Sequence, residues 1–232
     1  MKTSRKIAII VGALYLTVNF VAGPVSVVLE LPILDAPDYL AIVSANETRW
    51  IIRGLLVFYL GIGVACIGLV IYPILKQHSE SMAMVYAGAR VIEGTLYIVG
   101  LIFALSLLTL SQEFVKAGAP DDSYFQTLGG LLLAARDWAG HVLGFIVFGL
   151  GALMFNYLLY QSRLIPRWLS GLGFVAAILA LAAALLVLFG LLETFSMIDT
   201  LLQIPLFLSE MVLGIWLIVK GFNPSAIVSE PA

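Results

Sequence analysis

Charge is what this sequence has least of. Its 232 residues include 12 Lys and Arg and 14 Asp and Glu, 11% in all, whereas soluble domains carry about 25%. A water-facing surface cannot be covered with so few charges, so a soluble globular fold is excluded. The formal net charge of −2 excludes the basic surface that a nucleic-acid partner requires. The single cysteine, Cys66, lies in an apolar run and forms no intrachain disulfide. Of the two histidines, His78 and His141, only His141 lies in such a run. Bis-histidine haem ligation is therefore excluded, and a zinc site would have to be built from carboxylates around His141. No HExxH motif, Gly-rich phosphate loop or mid-span lysine is present, which removes the zinc-protease, nucleotide and retinal readings. The residues point to no cofactor and no metal.

Apolar residues are abundant: 62% of the chain, with a mean hydropathy of +1.07. They fall into six runs, 7–29, 53–75, 82–110, 128–160, 168–192 and 200–222. At about 1.5 Å per residue, each run is long enough to cross a hydrocarbon layer of about 30 Å. The expected fold is an all-α integral membrane protein, a bundle of six transmembrane helices in one domain, 1–222, with a short tail, 223–232. The basic Lys2, Arg5 and Lys6 ahead of the first run resemble the start of a signal peptide. The length of that run, Asn19 and Pro24 mark it as a first span, with Pro24 kinking its outer end. Residues 30–53 and 111–127 read as polar loops, the second with a turn at Pro120-Asp121-Asp122. No internal repeat is evident, so the inverted-repeat architecture of many transporters is not indicated.

Orientation follows from the basic residues. Lys2, Arg5, Lys6, Lys76, Arg163, Arg167 and Lys220 fall on one side, and Arg49, Arg53 and Lys116 on the other. This places both termini in the cytoplasm. Trp50 lies near the outer interface and Trp168 and Trp216 near the inner one, as aromatic belts require.

A few ionisable residues interrupt the runs: Arg90 and Glu93 in the third, Arg136, Asp137 and His141 in the fourth, Glu210 in the sixth. A charge at mid-bilayer costs roughly 2.5–3.5 kcal/mol on insertion scales, so these groups must face the protein interior or water. Arg90 and Glu93 are spaced i, i+3, and Asp137 and His141 i, i+4, so each pair shares a face. The expected arrangement is one polar centre built from the third, fourth and sixth helices. Gly140 and Gly144 form a small-xxx-small pair, a face through which a homo-oligomer could form.

Several segments are similar to a known family. These are Arg90-Val91-Ile92-Glu93, Ala135-Arg136-Asp137-Trp138, the stretch Tyr160-Gln161-Ser162-Arg163-Leu164-Ile165-Pro166-Arg167-Trp168-Leu169, and Gly214-Ile215-Trp216-Leu217-Ile218-Val219-Lys220-Gly221-Phe222 after Glu210. They resemble the bacterial family catalogued as domain of unknown function 4386, over roughly residues 5–222. The resemblance implies a multi-pass protein of the bacterial cytoplasmic (inner) membrane and implies no activity. Arg136 departs from it, since a His or similar residue is expected before Asp137-Trp138.

Three functions fit the polar set. The first is proton- or ion-coupled movement of a small solute, with Glu93 and Glu210 as acceptors and Arg90 as counter-ion or anion anchor. The second is an intramembrane enzyme acting on lipid, with Asp137 and His141 as the acid–base pair. The third is a non-catalytic scaffold or sensor in which Arg90 bridges Glu93 and Glu210 to fix helix packing. A non-enzymatic role is the leading expectation, and the bilayer is the one certain partner.

Overall fold

A computed structural model describes residues 3–34, 36–120 and 124–227. Six helices are long and apolar enough to cross a membrane: Thr3–Leu34, Glu47–Leu75, Glu80–Lys116, Tyr124–Ser162, Arg167–Leu188 and Met197–Val219. They are the first to sixth spans, and the chain is a multi-pass membrane protein. A short helix, Tyr39–Ala45, lies between the first two. No strand occurs among the described residues. Large apolar side chains such as Val28, Leu55, Leu131 and Val175 point outward and are more than half exposed, the surface a lipid solvent requires.

The spans pack as a closed ring. The first lies against the second and sixth, the third against the second and fourth, and the fifth against the fourth and sixth. One apolar core sits at the end that carries both termini and includes Tyr15, Ile71, Leu159, Leu164 and Leu217. A second, at the opposite end, includes Ile33, Leu40, Trp50 and Leu107. There the Trp50 indole N–H donates to the carbonyl of Ala104 at 2.8 Å.

The first four helices are longer than their apolar runs and the sixth starts earlier than its run, and this moves several charges. The first span continues through Glu30 to Leu34, past two prolines. A six-residue π segment, Thr17–Ala22, precedes Pro24. Proline lacks an N–H and crowds the carbonyl one turn back, and the widened π turn absorbs that misfit. The second span begins at Glu47, so Arg49 and Arg53 are helical and not in a loop. The third extends to Lys116, shortening the expected 111–127 loop; Asp121 and Asp122 of the expected turn lie outside the described residues. The fifth ends at Leu188, just before Gly190 with φ 68°. Ser196 caps the sixth by accepting from the Asp199 N–H, which draws Asp199 into its first turn. At its other end Arg5 donates to the carbonyls of Leu217 (3.1 Å) and Ile218 (2.6 Å), supplying partners that a helix C-terminus otherwise lacks.

Beyond the sixth span, the Asn223 N–H donates to the Leu164 carbonyl at 2.8 Å. Ala226 and Ile227 pack on the core at the termini end. This part of the tail is therefore docked. It approaches His78, whose Nε2 is buried with no partner among the described residues. Burial lowers the His78 pKa below 6.5, opposed in part by the Ala226 backbone. The lowered value means the docked state binds fewer protons than the undocked one, so docking is favoured above the ordinary value and weakens as pH falls through it. The protection factors for backbone hydrogen exchange at residues 223 and 225–227, with the base-catalysed rise of the intrinsic rate divided out, should be lower at about pH 5 than at about pH 8, spanning the ordinary histidine range. His78→Ala should flatten that difference.

Candidate functional site

The six candidate residues do not form one centre. They separate into three groups, each completed by a partner from another span.

The deepest group surrounds Arg90, about 15 Å along the third span from its start. Gly68 of the second span makes room for it: a Cβ there would stand 2.8 Å from Arg90 Cβ. Its Nη1 donates to Glu93 at 2.9 Å and its Nη2 to Glu210 at 2.8 Å. Its Nε donates to the Tyr86 hydroxyl at 3.1 Å, and Nη2 also reaches Tyr15 at 3.3 Å. The two tyrosine hydroxyls are 3.0 Å apart. Asn19, within the first π segment, donates to the second oxygen of Glu210 at 2.9 Å. The Phe148 ring of the fourth span covers the guanidinium at 4.9 Å. Arg90 and Glu93 are 2% and 1% exposed and Glu210 7%. One positive and two negative formal charges are thus closed off from water. The spans that meet here are the first, third and sixth, with the fourth supplying a lid and not a charge.

Arg136 and Asp137 belong to a second group. A second π segment, Trp138–Leu143, interrupts the fourth span just after them. Arg136 donates to Asp137 through Nε and Nη2 at 2.9 and 2.7 Å, and its Nη1 bonds Glu30 of the first span. Glu30 also accepts from Arg53 Nε at 2.8 Å. Two arginines and two carboxylates make this group neutral. His141 belongs to a third. Its Nε2 is 2.7 Å from Asp199 Oδ2, and Asp199 further accepts from Gln203 at 2.5 Å and from the Phe195 N–H at 3.0 Å. The π segment turns His141 toward the sixth span while Asp137 stays on Arg136, so the acid–base pair expected from their spacing does not form.

Sequence reasoning misses Glu30, Arg53 and Asp199 as partners because it assigns them to loops. The signal is the odd number of charges in the fourth run: Arg136 and Asp137 balance each other, leaving His141 in need of an acceptor. Gly140 and Gly144 take up the Tyr97 ring, which would lie 3.7 and 3.3 Å from added β-carbons. That notch is filled within the chain, and an oligomer through it would require Tyr97 to leave.

Among known proteins, no solved structure matches this chain. An uncharacterized protein of Archaeoglobus fulgidus is 32% identical over 89 residues, 38% of this chain and 51% of its own length. The match therefore spans about half of that relative, and the relative is archaeal. A family model described as "Domain of unknown function (DUF4386)" matches residues 10–221. That range takes in the first span from residue 10 on, the other five spans, the π segments and every residue of the three polar groups, and the chain belongs to the DUF4386 family.

Proposed function

We propose that this is a proton-coupled membrane protein that moves a small solute, with Glu93 and Glu210 sharing a proton beside Arg90. The observation that carries this reading is that one guanidinium serves two buried carboxylates. Both carboxylates ionised would leave an uncompensated negative charge where charge is costly. A proton on either of them removes it. Releasing that proton restores the imbalance, which can be relieved by admitting water or a cation, so proton occupancy and conformation are coupled. The other two groups lack this property, since Glu30, Arg53, Arg136 and Asp137 are balanced and Asp199 is a single carboxylate bonded to His141 and Gln203. The distribution of basic residues supports cytoplasmic termini.

The test is proton uptake into liposomes containing the protein, read with a pH-sensitive dye. Glu93→Gln and Glu210→Gln should each abolish protein-dependent uptake. Uptake unchanged in either would exclude the role. The scaffold reading has its own support, because every nitrogen of Arg90 already has a partner. It expects the two substitutions to alter thermal stability alone. The lipid-enzyme reading loses its named pair, since Asp137 and His141 have separate partners.

A further inference from the structure

The two π segments have the same length and setting. Thr17–Ala22 and Trp138–Leu143 each hold six residues, and each is succeeded by a glycine, Gly23 or Gly144, that starts the next α segment. π segments are rare, so two alike in one small protein are informative. The spans after each segment also match. Ser79 caps the third span by accepting from the Met82 N–H, and Ser196 caps the sixth by accepting from the Asp199 N–H. Glu93 and Glu210 stand at the same distance from those serines, 79 to 93 and 196 to 210. The packing matches too: first on sixth corresponds to fourth on third, first on second to fourth on fifth, and second on third to fifth on sixth. Three spans bring the chain out on the opposite side of the bilayer, so the second set of three runs inverted relative to the first.

We propose that residues 3–116 and 124–219 are inverted repeats of one three-span unit, and that exchange of their two conformations moves the closed seam from one side of the Arg90–Glu93–Glu210 centre, which is occluded in this structure, to the other, passing access between the two sides. The repeats differ in one place here. The fourth span packs on the third along its whole course, whereas the first packs on the sixth mainly through Thr3–Leu16, and Gly23–Leu34 has no packed interface with it. Aligned on the π segments, Phe148 corresponds to Val27 and Ala152 to Leu31. Phe148 and Ala152 are each 4% exposed, but Val27 and Leu31 are 42% and 50%. Aligned on the capping serines, Arg90 corresponds to Phe207, which is 38% exposed. In the exchanged state Val27 closes on Phe207 as Phe148 here closes on Arg90. The seam between Ala89 and Gly151, where a Cβ on Gly151 would stand 3.0 Å from that of Ala89, then parts. The exchange of access rests on the proton-coupled reading for its driving force; the repeat itself does not.

Disulfide trapping tests the exchange. The full-length Cys66→Ser protein in liposomes would carry either Ala89→Cys/Gly151→Cys or Val27→Cys/Phe207→Cys. Copper phenanthroline would oxidise the pair, and the loss of two hydrogens at monomer mass would report an intramolecular link. Both links should form, with yields that move in opposite directions between acid and alkaline pH. A link at 89/151 with 27/207 remaining reduced at every pH would overturn the exchange, the first pair showing that the protein is folded. Links at both pairs with yields indifferent to pH would uphold the exchange and count against proton coupling alone.

Discussion

Arg90→Met destabilises the bundle by about 3–5 kcal/mol, the typical cost of removing one partner from a buried ion pair. The substitution keeps much of the apolar stem and removes the charge. Glu93 and Glu210 are then left without their shared cation, and Tyr15 and Tyr86 lose its hydrogen bonds. Unfolding in mild detergent, driven by heat or denaturant, measures the loss. The triple variant Arg90→Met/Glu93→Gln/Glu210→Gln separates charge from shape. It should recover much of the stability, because replacing a whole buried ion network costs far less than orphaning part of it. A loss below about 1 kcal/mol for Arg90→Met alone would mean the carboxylates are already relieved by water, as at exposed pairs.

Gly94→Leu should leave little folded protein at all. Gly94 meets Gly61 of the second span backbone to backbone: a Cβ on Gly61 would stand 2.8 Å from the Gly94 carbonyl oxygen, and one on Gly94 would press still closer on the Gly61 carbonyl. Small residues permit this approach between membrane helices. Overpacking usually costs about 1–3 kcal/mol when side chains can yield. Here the obstacle is the main chain of another helix, so the second and third spans must separate and Arg90, which lies over Gly68 on the same seam, moves with them. The monodisperse fraction in size-exclusion chromatography after detergent extraction reads the outcome. Gly88→Ala is the control, since a Cβ there meets nothing within 4 Å. It should be neutral or stabilising by up to about 1 kcal/mol through helix propensity.

The contrast between Glu93 and Glu30 shows how far composition carries. Glu93 is flanked on both sides by apolar sequence, so its burial and its need for Arg90 are local facts. Glu30 stands beside Pro32, Asp35 and Pro37, a composition that reads as loop. It is helical because the π segment ahead of Pro24 takes up the misfit, and no single window of sequence contains that compensation. Asp199 is misassigned for a related reason: one capping hydrogen bond, donated by its own N–H to the Ser196 hydroxyl, starts the sixth span a turn early.

The sequence by itself determined the solvent, the number of spans and that the ionisable groups inside the apolar runs, such as Arg90 and Glu93, must be hidden. Those follow from transfer free energies, which add residue by residue along a run. Which hidden groups meet was decided by tertiary structure. Partners were fixed by the order of spans around the ring, by the π turns that re-aim Asn19 and His141, and by glycines that admit Arg90 and Tyr97. These are relations between helices far apart in the chain, and helical periodicity says which residues share a face without saying what that face touches.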